Sequence, residues 1–383
     1  MIRFVATAFF CIGVQATAAE PTAKTLFNAG ENGYASYRIP ALVVTTKGTL
    51  LAFCEARKTV SDWADITILM RRSLDGGKTW SAPLDVGPTP TDVVRNAVAP
   101  KRRAGGMQGP TRNNPGPIAD PAGPVHLVYC GEYARCFYRR SDDDGRTWSV
   151  PIEITKSFES FRKTYPWKVI ATGPGHGIVI SRGPKKGRLV IPVWLSTSTN
   201  GAHRPSVTAT IYSDDAGKTW HAGDVAVHNA GDFINPNEAS IVELSDGTVQ
   251  LNVRTESKRH RRVIVVSADG AREWSEPRFV EDLVEPICFG SSVRFDADRI
   301  LFANPDNLSV TGKKVIPGKG RDRKNLTLYT SSDGGKSWGS KRVLDSGPSG
   351  YSDLAVGKGR EVYCLYEKNV KPATLVLLTL TLK

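Results

Sequence analysis

An eight-residue pattern, Ser-x-Asp-x-Gly-x-Thr/Ser-Trp, occurs intact at Ser73 to Trp80, Ser141 to Trp148, Ser213 to Trp220 and Ser331 to Trp338. A degraded copy runs from Ser267 to Trp274, with Ala271 and Glu273 where the others have Gly and Thr or Ser. The copies start 68, 72, 54 and 64 residues apart, the period of a supersecondary unit and not of a short tandem motif. In each, Asp and Ser can bond nearby backbone N–H groups, Gly accepts positive φ, and Trp can pack its ring between neighbouring sheets. The box is a turn with an anchor: it constrains the fold and leaves the chemistry to other residues.

Short runs of β-forming residues precede each box: Thr67 to Met70, Phe137 to Arg140, Val207 to Tyr212, Val263 to Ser267 and Leu326 to Thr330. Others, such as Ala41 to Val44, Leu50 to Phe53, Leu189 to Leu195 and Thr248 to Val253, lie upstream, and no stretch keeps a long helical period. Four strands with their turns take about 55–70 residues, so residues 20–383 are predicted to form one all-β domain, a six-bladed β-propeller of four-stranded antiparallel blades. The last blade shows only three strands of its own, near Leu354 to Val356, Glu361 to Tyr366 and Leu375 to Leu382. Residues near Lys24 to Phe27 are expected to supply the fourth and close the ring, leaving no long free edge. Gly87 to Pro117, rich in Pro, Gly and basic residues, shows no strand and is expected to overhang the mouth, where substrate preference is set.

Residues 1–19 stand apart. Arg3, the apolar run Phe4 to Val14 and the small residues Ala16-Thr17-Ala18 have the form of a secretory signal peptide, so the mature chain is expected to be secreted or periplasmic. No later run approaches the ~18 uncharged apolar residues of a membrane-spanning helix. Removing that segment takes Cys11 with it and leaves Cys54, Cys130, Cys136, Cys288 and Cys364, an odd number that argues against a full disulfide framework. Cys130 and Cys136 flank an apparent hairpin, which leaves room for one cross-strand disulfide in an oxidising compartment; buried thiols are the alternative. The formal charge of +13 is spread over loops such as Lys101-Arg102-Arg103, Arg259 to Arg262 and Lys313-Lys314, read as solvated faces and not as a nucleic-acid site. That charge raises the local concentration of acidic substrates.

Chemistry has to come from outside the boxes. Arg38-Ile39-Pro40, and Glu55-Ala56-Arg57 followed five residues on by Asp62, gather guanidiniums and a carboxylate into 25 positions, which suggests an anion site. Further on, Asn237-Glu238 is followed sixteen residues after Glu238 by Arg254. Arg323 precedes Asn325-Leu326-Thr327, and Tyr351-Ser352-Asp353-Leu354 follows Ser349-Gly350. In this order, and over the whole mature chain, these motifs with the boxes resemble the exo-α-sialidases, or neuraminidases.

The resemblance implies a clamp of Arg38, Arg254 and Arg323 on the substrate carboxylate, with Glu367 of Tyr366-Glu367-Lys368 bracing the first arginine. Planar guanidinium forks suit a carboxylate, and three of them together need anionic support when empty. It also implies Tyr351 as nucleophile, since a neutral phenol avoids the repulsion a carboxylate would meet beside the anomeric carboxylate. Glu238 would be its base, because a phenol with a pKa near 10 is a poor nucleophile unaided. Asp62 would be the acid/base that serves the leaving oxygen and then water, with overall retention. Arg57 would contact the carboxylate edge or a ring hydroxyl. The implied partners are sialylated glycans, with no metal and no organic cofactor.

Two other readings share these residues: an enzyme for a related 2-keto sugar acid or for transfer to an acceptor other than water, and a non-catalytic glycan-binding propeller. The latter predicts loss of Tyr351, Glu238 or Asp62, all of which are present. His176, in Gly173-Pro174-Gly175-His176-Gly177, lacks Cys or carboxylate at ligand spacing and reads as structural.

Overall fold

The computed structural model describes residues 20–101 and 109–382. The signal peptide expected at 1–19, Arg102 and Arg103 of the basic run, and the middle of the Gly87 to Pro117 segment lie outside the described residues. The described chain is almost wholly β, with short 3₁₀ turns such as Thr155–Lys163, which buries Phe158 and Phe161.

Four sheets follow one another along the chain, all antiparallel. The first joins Ser36–Val44, Leu50–Arg57, Ile66–Ser73 and Leu84–Asp85, and the second Arg112–Ala119, Val125–Gly131, Arg135–Ser141 and Ile152–Glu153. The third joins Val169–Thr172, Leu189–Ser196, Ser206–Ser213 and His221–Val227, with Ile178–Val179 added beside Leu189–Ser196. The fourth joins Ala239–Glu243, Val249–Val253, Arg261–Ser267 and Arg278–Val284.

The other seven strands make one sheet, in the order Thr22–Phe27, Thr374–Thr381, Glu361–Lys368, Ser340–Val356, Lys324–Ser331, Ile300–Pro305, Ser291–Arg294. It is continuous because Ser340–Val356 runs for 17 residues. As far as Pro348 that strand pairs with Lys324–Ser331, and from Ser349 it pairs with Glu361–Lys368. As sheets these are four plus one, and a count of six depends on how the long strand is divided. Thr22–Phe27 pairs antiparallel with Thr374–Thr381, so the two ends of the described chain lie side by side.

The boxes form the turns expected of them. In the intact copies the Gly N–H donates to the Ser hydroxyl at 2.8–2.9 Å, and the Thr or Ser hydroxyl donates to the Asp carboxylate at 2.6–2.7 Å. Each Trp reaches the preceding sheet: Trp148 meets Phe53 edge-on at 6.2 Å, and Trp220 meets Tyr138 at 5.6 Å. Trp80 packs on the cluster that holds Leu42 with Leu365, Leu375 and Leu377, where the first sheet meets the last strands. The apolar wedges between successive sheets thus run all the way round and produce a propeller-like ring.

Gly87 to Pro117 is expected to hold no strand, yet Arg112–Ala119 is the inner strand of the second sheet. Pro115, Gly116 and Pro117 disguise it. Pro is tolerated because only one edge of this strand is paired into a sheet, to Val125–Gly131, and the register slips between Asn113 and Gly116.

Candidate active site

The inner strands put their side chains on the axis at one end of the ring, and local irregularities aim them. In Ser36–Val44 the register slips between Arg38 and Ala41, with Ile39 at φ 56°. In Arg112–Ala119 it slips at Asn114, φ 55°, and in Ser340–Val356 between Ser349 and Ser352, on either side of Tyr351. Such bulges re-aim a side chain without ending the strand. Glu238 and Arg254 stand just outside the paired strands Ala239–Glu243 and Val249–Val253, and the Arg254 N–H donates to the Glu238 carbonyl at 2.9 Å.

These residues line a cavity of about 810 Å³ that contains Arg38, Arg57, Asp62, Glu238, Arg254, Arg323 and Tyr351 together. At its floor the Tyr351 hydroxyl donates to Glu238 Oε1 at 2.6 Å. Arg254 Nη1 donates to the Tyr351 oxygen at 2.6 Å and also to Glu238 Oε2. The guanidinium carbons of Arg38 and Arg323 lie 5.0 and 5.1 Å from the centre of the Tyr351 ring. Three cations therefore surround one phenol. Burial pushes that phenol's pKa well up, and the pull of Arg254, Arg323 and Arg38 does not overcome it.

Glu367 is fully buried and grips Arg38 with both oxygens, at 3.0 and 3.1 Å. Its oxygens also accept the N–H groups of Ile39 and Tyr351, at 3.1 and 3.2 Å. Its position requires Gly350: a Cβ built there would lie 2.2 Å from Glu367 Oε2. Among the described residues Arg323 has no such brace; its Nη2 donates to the Ile287 carbonyl at 2.6 Å.

Arg57 is buried and held by Glu55, at 2.8 Å from Nε and 2.5 Å from Nη2. Its free Nη1 donates to Asp62 at 2.6 Å, and Arg38 Nη1 lies 3.5 Å from the same Asp62 oxygen. The Asp62 side chain is 50% exposed to the cavity and solvent. Crowding raises its pKa, but Arg57 and then Arg38 overcome this and hold the carboxyl below the usual range, so it stands as a carboxylate beside the clamp.

Glu55, buried behind Arg57, does not line the cavity; it also accepts the Asn114 N–H at 2.7 Å and ties the second sheet to the site. Other lining residues carry no motif. Tyr133, Trp194 and His203 form an aromatic wall, with the His203 ring 4.5 Å from Tyr133 and 5.2 Å from Trp194. Single aromatic residues in a β protein give no signal by which sequence reasoning could have chosen them. Cys130 and Cys136 stand opposite each other in register, as free buried thiols. Pro100, at the described end of the Gly87 to Pro117 segment, packs behind Gly201 of the cavity wall. Among the described residues of that segment only Asn114, now in a strand, lines the cavity.

A propeller-like ring whose axial cavity brings arginines onto a Tyr–Glu pair is the class of molecule these features define. The model of the BNR repeat-like domain matches residues 95–364. The chain is 29% identical over 382 residues to a sialidase of Bacteroides fragilis, covering 91% of this chain and 62% of that protein. It is 30% identical over 374 residues to a sialidase of Micromonospora viridifaciens, covering 90% of this chain and 52% of that one. Among solved structures, the Hadza microbial sialidase Hz136 superposes with a TM-score of 0.71 at 27% identity, covering 94% of this chain and 68% of that one. The chain belongs to the BNR repeat-like family, and the relatives it resembles over most of its length are sialidases. It spans between half and two thirds of the length of the two bacterial relatives.

Proposed function

We propose that the protein is a retaining exo-α-sialidase that removes terminal α-linked sialic acids from glycoconjugates through a tyrosyl-enzyme intermediate. The observation that carries this is the 2.6 Å hydrogen bond from Tyr351 to Glu238 with Arg38, Arg254 and Arg323 around it. The three guanidiniums take the substrate carboxylate and hold the anomeric carbon against the phenol. Burial makes that phenol reluctant to ionise, so an adjacent base is needed. Glu238 takes its proton as the Tyr351 oxygen bonds to the anomeric carbon and the glycosidic C–O bond breaks. Asp62 protonates the departing oxygen, then deprotonates the water that splits the tyrosyl bond, returning the sugar with its original configuration.

Arg57 and Arg38 hold Asp62 as a carboxylate. A substrate carboxylate that takes over Arg38 removes one of those cations and raises Asp62 toward the range where it can carry the proton it must deliver. Arg57, braced by Glu55, keeps Asp62 in place throughout.

The seven-stranded sheet is read as two blades sharing Ser340–Val356, which gives six blades and accounts for Arg323 and Tyr351 facing one axis. Export is part of the reading, from the signal-like residues 1–19. The test is hydrolysis of a fluorogenic α-sialoside by the wild type and by Tyr351→Phe, with the first-formed anomer followed by NMR. An initial β product, or a Phe variant as active as the wild type, contradicts the mechanism.

A further inference from the structure

The cavity is electrostatically lopsided. Eight cationic side chains line it against three carboxylates. Four of the eight are paired: Arg38 with Glu367, Arg57 with Glu55, Arg254 with Glu238, and Arg204 with Glu256 at 2.7 Å. Arg323 belongs to the clamp and would be met by the substrate's own carboxylate. Arg321 is buried and spends its N–H groups on the carbonyls of Ile316 and Lys319.

Lys324 and Lys371 remain, and neither ammonium group makes a hydrogen bond or ion pair among the described residues. The nearby acid, Asp322, feels Lys324 electrostatically but commits its Oδ2 to Thr311, accepting from its N–H at 2.7 Å and its hydroxyl at 2.5 Å. Both lysines sit at the rim: Lys371 is exposed and Lys324 half-buried, whereas Tyr351, Glu238 and Arg57 at the floor are buried. They stand at one edge of the mouth, because the start of Lys324–Ser331 pairs with Pro348, and Pro348 accepts the N–H of Asn369 in the turn that carries Lys371. The segment from Thr311 to Lys324, whose two ends line the cavity, also carries Lys313, Lys314 and Lys319, and Asp322 is its single acid.

A terminal sugar seated on Tyr351 fills the floor and neutralises the clamp with its one carboxylate. Whatever it is attached to must leave through the mouth, past this edge. We propose that Lys324 and Lys371 form a subsite for a second anionic group, carried by the glycan just beyond the sugar being cleaved. The inference rests on the sialidase reading and narrows its substrate class to acidic glycans. The anion can be the carboxylate of a second sialic acid or a sulfate ester on the neighbouring sugar; both present an oxyanion to two ammonium groups.

The experiment compares kcat/KM for a sialyl-trisaccharide whose two remaining sugars are uncharged (the neutral substrate), its disialyl analogue and its sulfated analogue (the acidic substrates), in wild type and in Lys324→Gln/Lys371→Gln, at two salt concentrations. Exposed charge pairs of this kind predict a preference of about three- to tenfold for the acidic substrates at low salt, reduced at high salt. The ratio of acidic to neutral kcat/KM should fall to near one in the double variant, with its melting temperature checked against wild type. Preference for the disialyl substrate alone assigns the site to a carboxylate, preference for the sulfated one alone assigns it to a sulfate, and either supports the subsite. Cleavage of the neutral substrate without acidic preference, or a preference that survives in the double variant, overturns the subsite and leaves the sialidase reading standing. Failure to cleave any of the three overturns both.

Discussion

Nδ1 of His176 lies 2.9 Å from Oδ1 of Asp353, two residues along the strand from Tyr351. The same carboxylate accepts the Leu42 N–H at 2.8 Å and the Ser291 hydroxyl at 2.7 Å. One buried acid thus ties together three strands and the His176 loop, on the strand that carries the residue proposed as nucleophile. Burial alone would lower the His176 pKa, but Asp353 outweighs it and the net shift is upward.

A pH dependence follows. A histidine whose folded pKa is raised adds stability that is complete below its unfolded value, about 6.5, and is lost as pH rises through the folded value. His176→Gln should therefore melt lower than wild type at pH 6, and the gap should narrow as the pH is raised toward and through the folded pKa. A gap in melting temperature that stays constant over that range would remove His176 as the titrating partner.

Gly350 is a second structural dependency of the site. Any Cβ there collides with Glu367 Oε2, and Glu367 is the brace of Arg38. Overpacking of this kind costs about 1–3 kcal/mol, and here it also shifts the carboxylate that orients the clamp. Gly350→Ala is expected to lose both melting temperature and kcat/KM, with KM rising. Gly339→Ala, where nothing lies within 4 Å of the added carbon, is expected to lose neither. Equal behaviour of the two variants would show that the Glu367 contact is not needed.

Much of this site was legible because Arg38, Glu238, Arg254, Arg323 and Tyr351 lie in short motifs whose order resembles that of the exo-α-sialidases, and the structure brings all five to one cavity. What could not be read was how those residues are held. The bulge at Ile39, the bidentate hold of Glu55 on Arg57 and the wall of Tyr133, Trp194 and His203 depend on contacts between strands far apart in sequence. The same limit hid the Arg112–Ala119 strand behind its prolines, and hid the continuity of Ser340–Val356, whose exposed first half reads as turn and linker.

Asp62 makes a prediction that separates its two proposed duties. If it donates a proton to the leaving oxygen, its removal should matter least when that oxygen belongs to a good leaving group. Asp62→Asn is expected to lose about 10²–10⁴-fold in kcat on a natural sialyl-oligosaccharide, and markedly less on an activated aryl sialoside in the step that expels the aryl group. Pre-steady-state release of the aryl group measures that step. Equal losses on both substrates would remove Asp62 as the acid.

The floor of the cavity makes the sharpest prediction, because Tyr351, Glu238 and Arg254 share one hydrogen-bonded cluster in which Arg254 Nη1 meets both other groups. Residues that act as one unit are strongly non-additive on removal. Tyr351→Phe deletes the nucleophile, so no proton is left for Glu238 to take in that step. Each single variant, Tyr351→Phe and Glu238→Gln, should lose at least about 10²-fold in kcat, and the double variant should be no slower than the worse of the two. If Glu238 instead acted independently, for example by holding Arg254 for the clamp, the two losses would multiply and KM would rise in Glu238→Gln alone. A double-mutant cycle on kcat, with KM measured alongside, decides between these, and multiplicative losses would break the nucleophile–base pairing on which the mechanism depends.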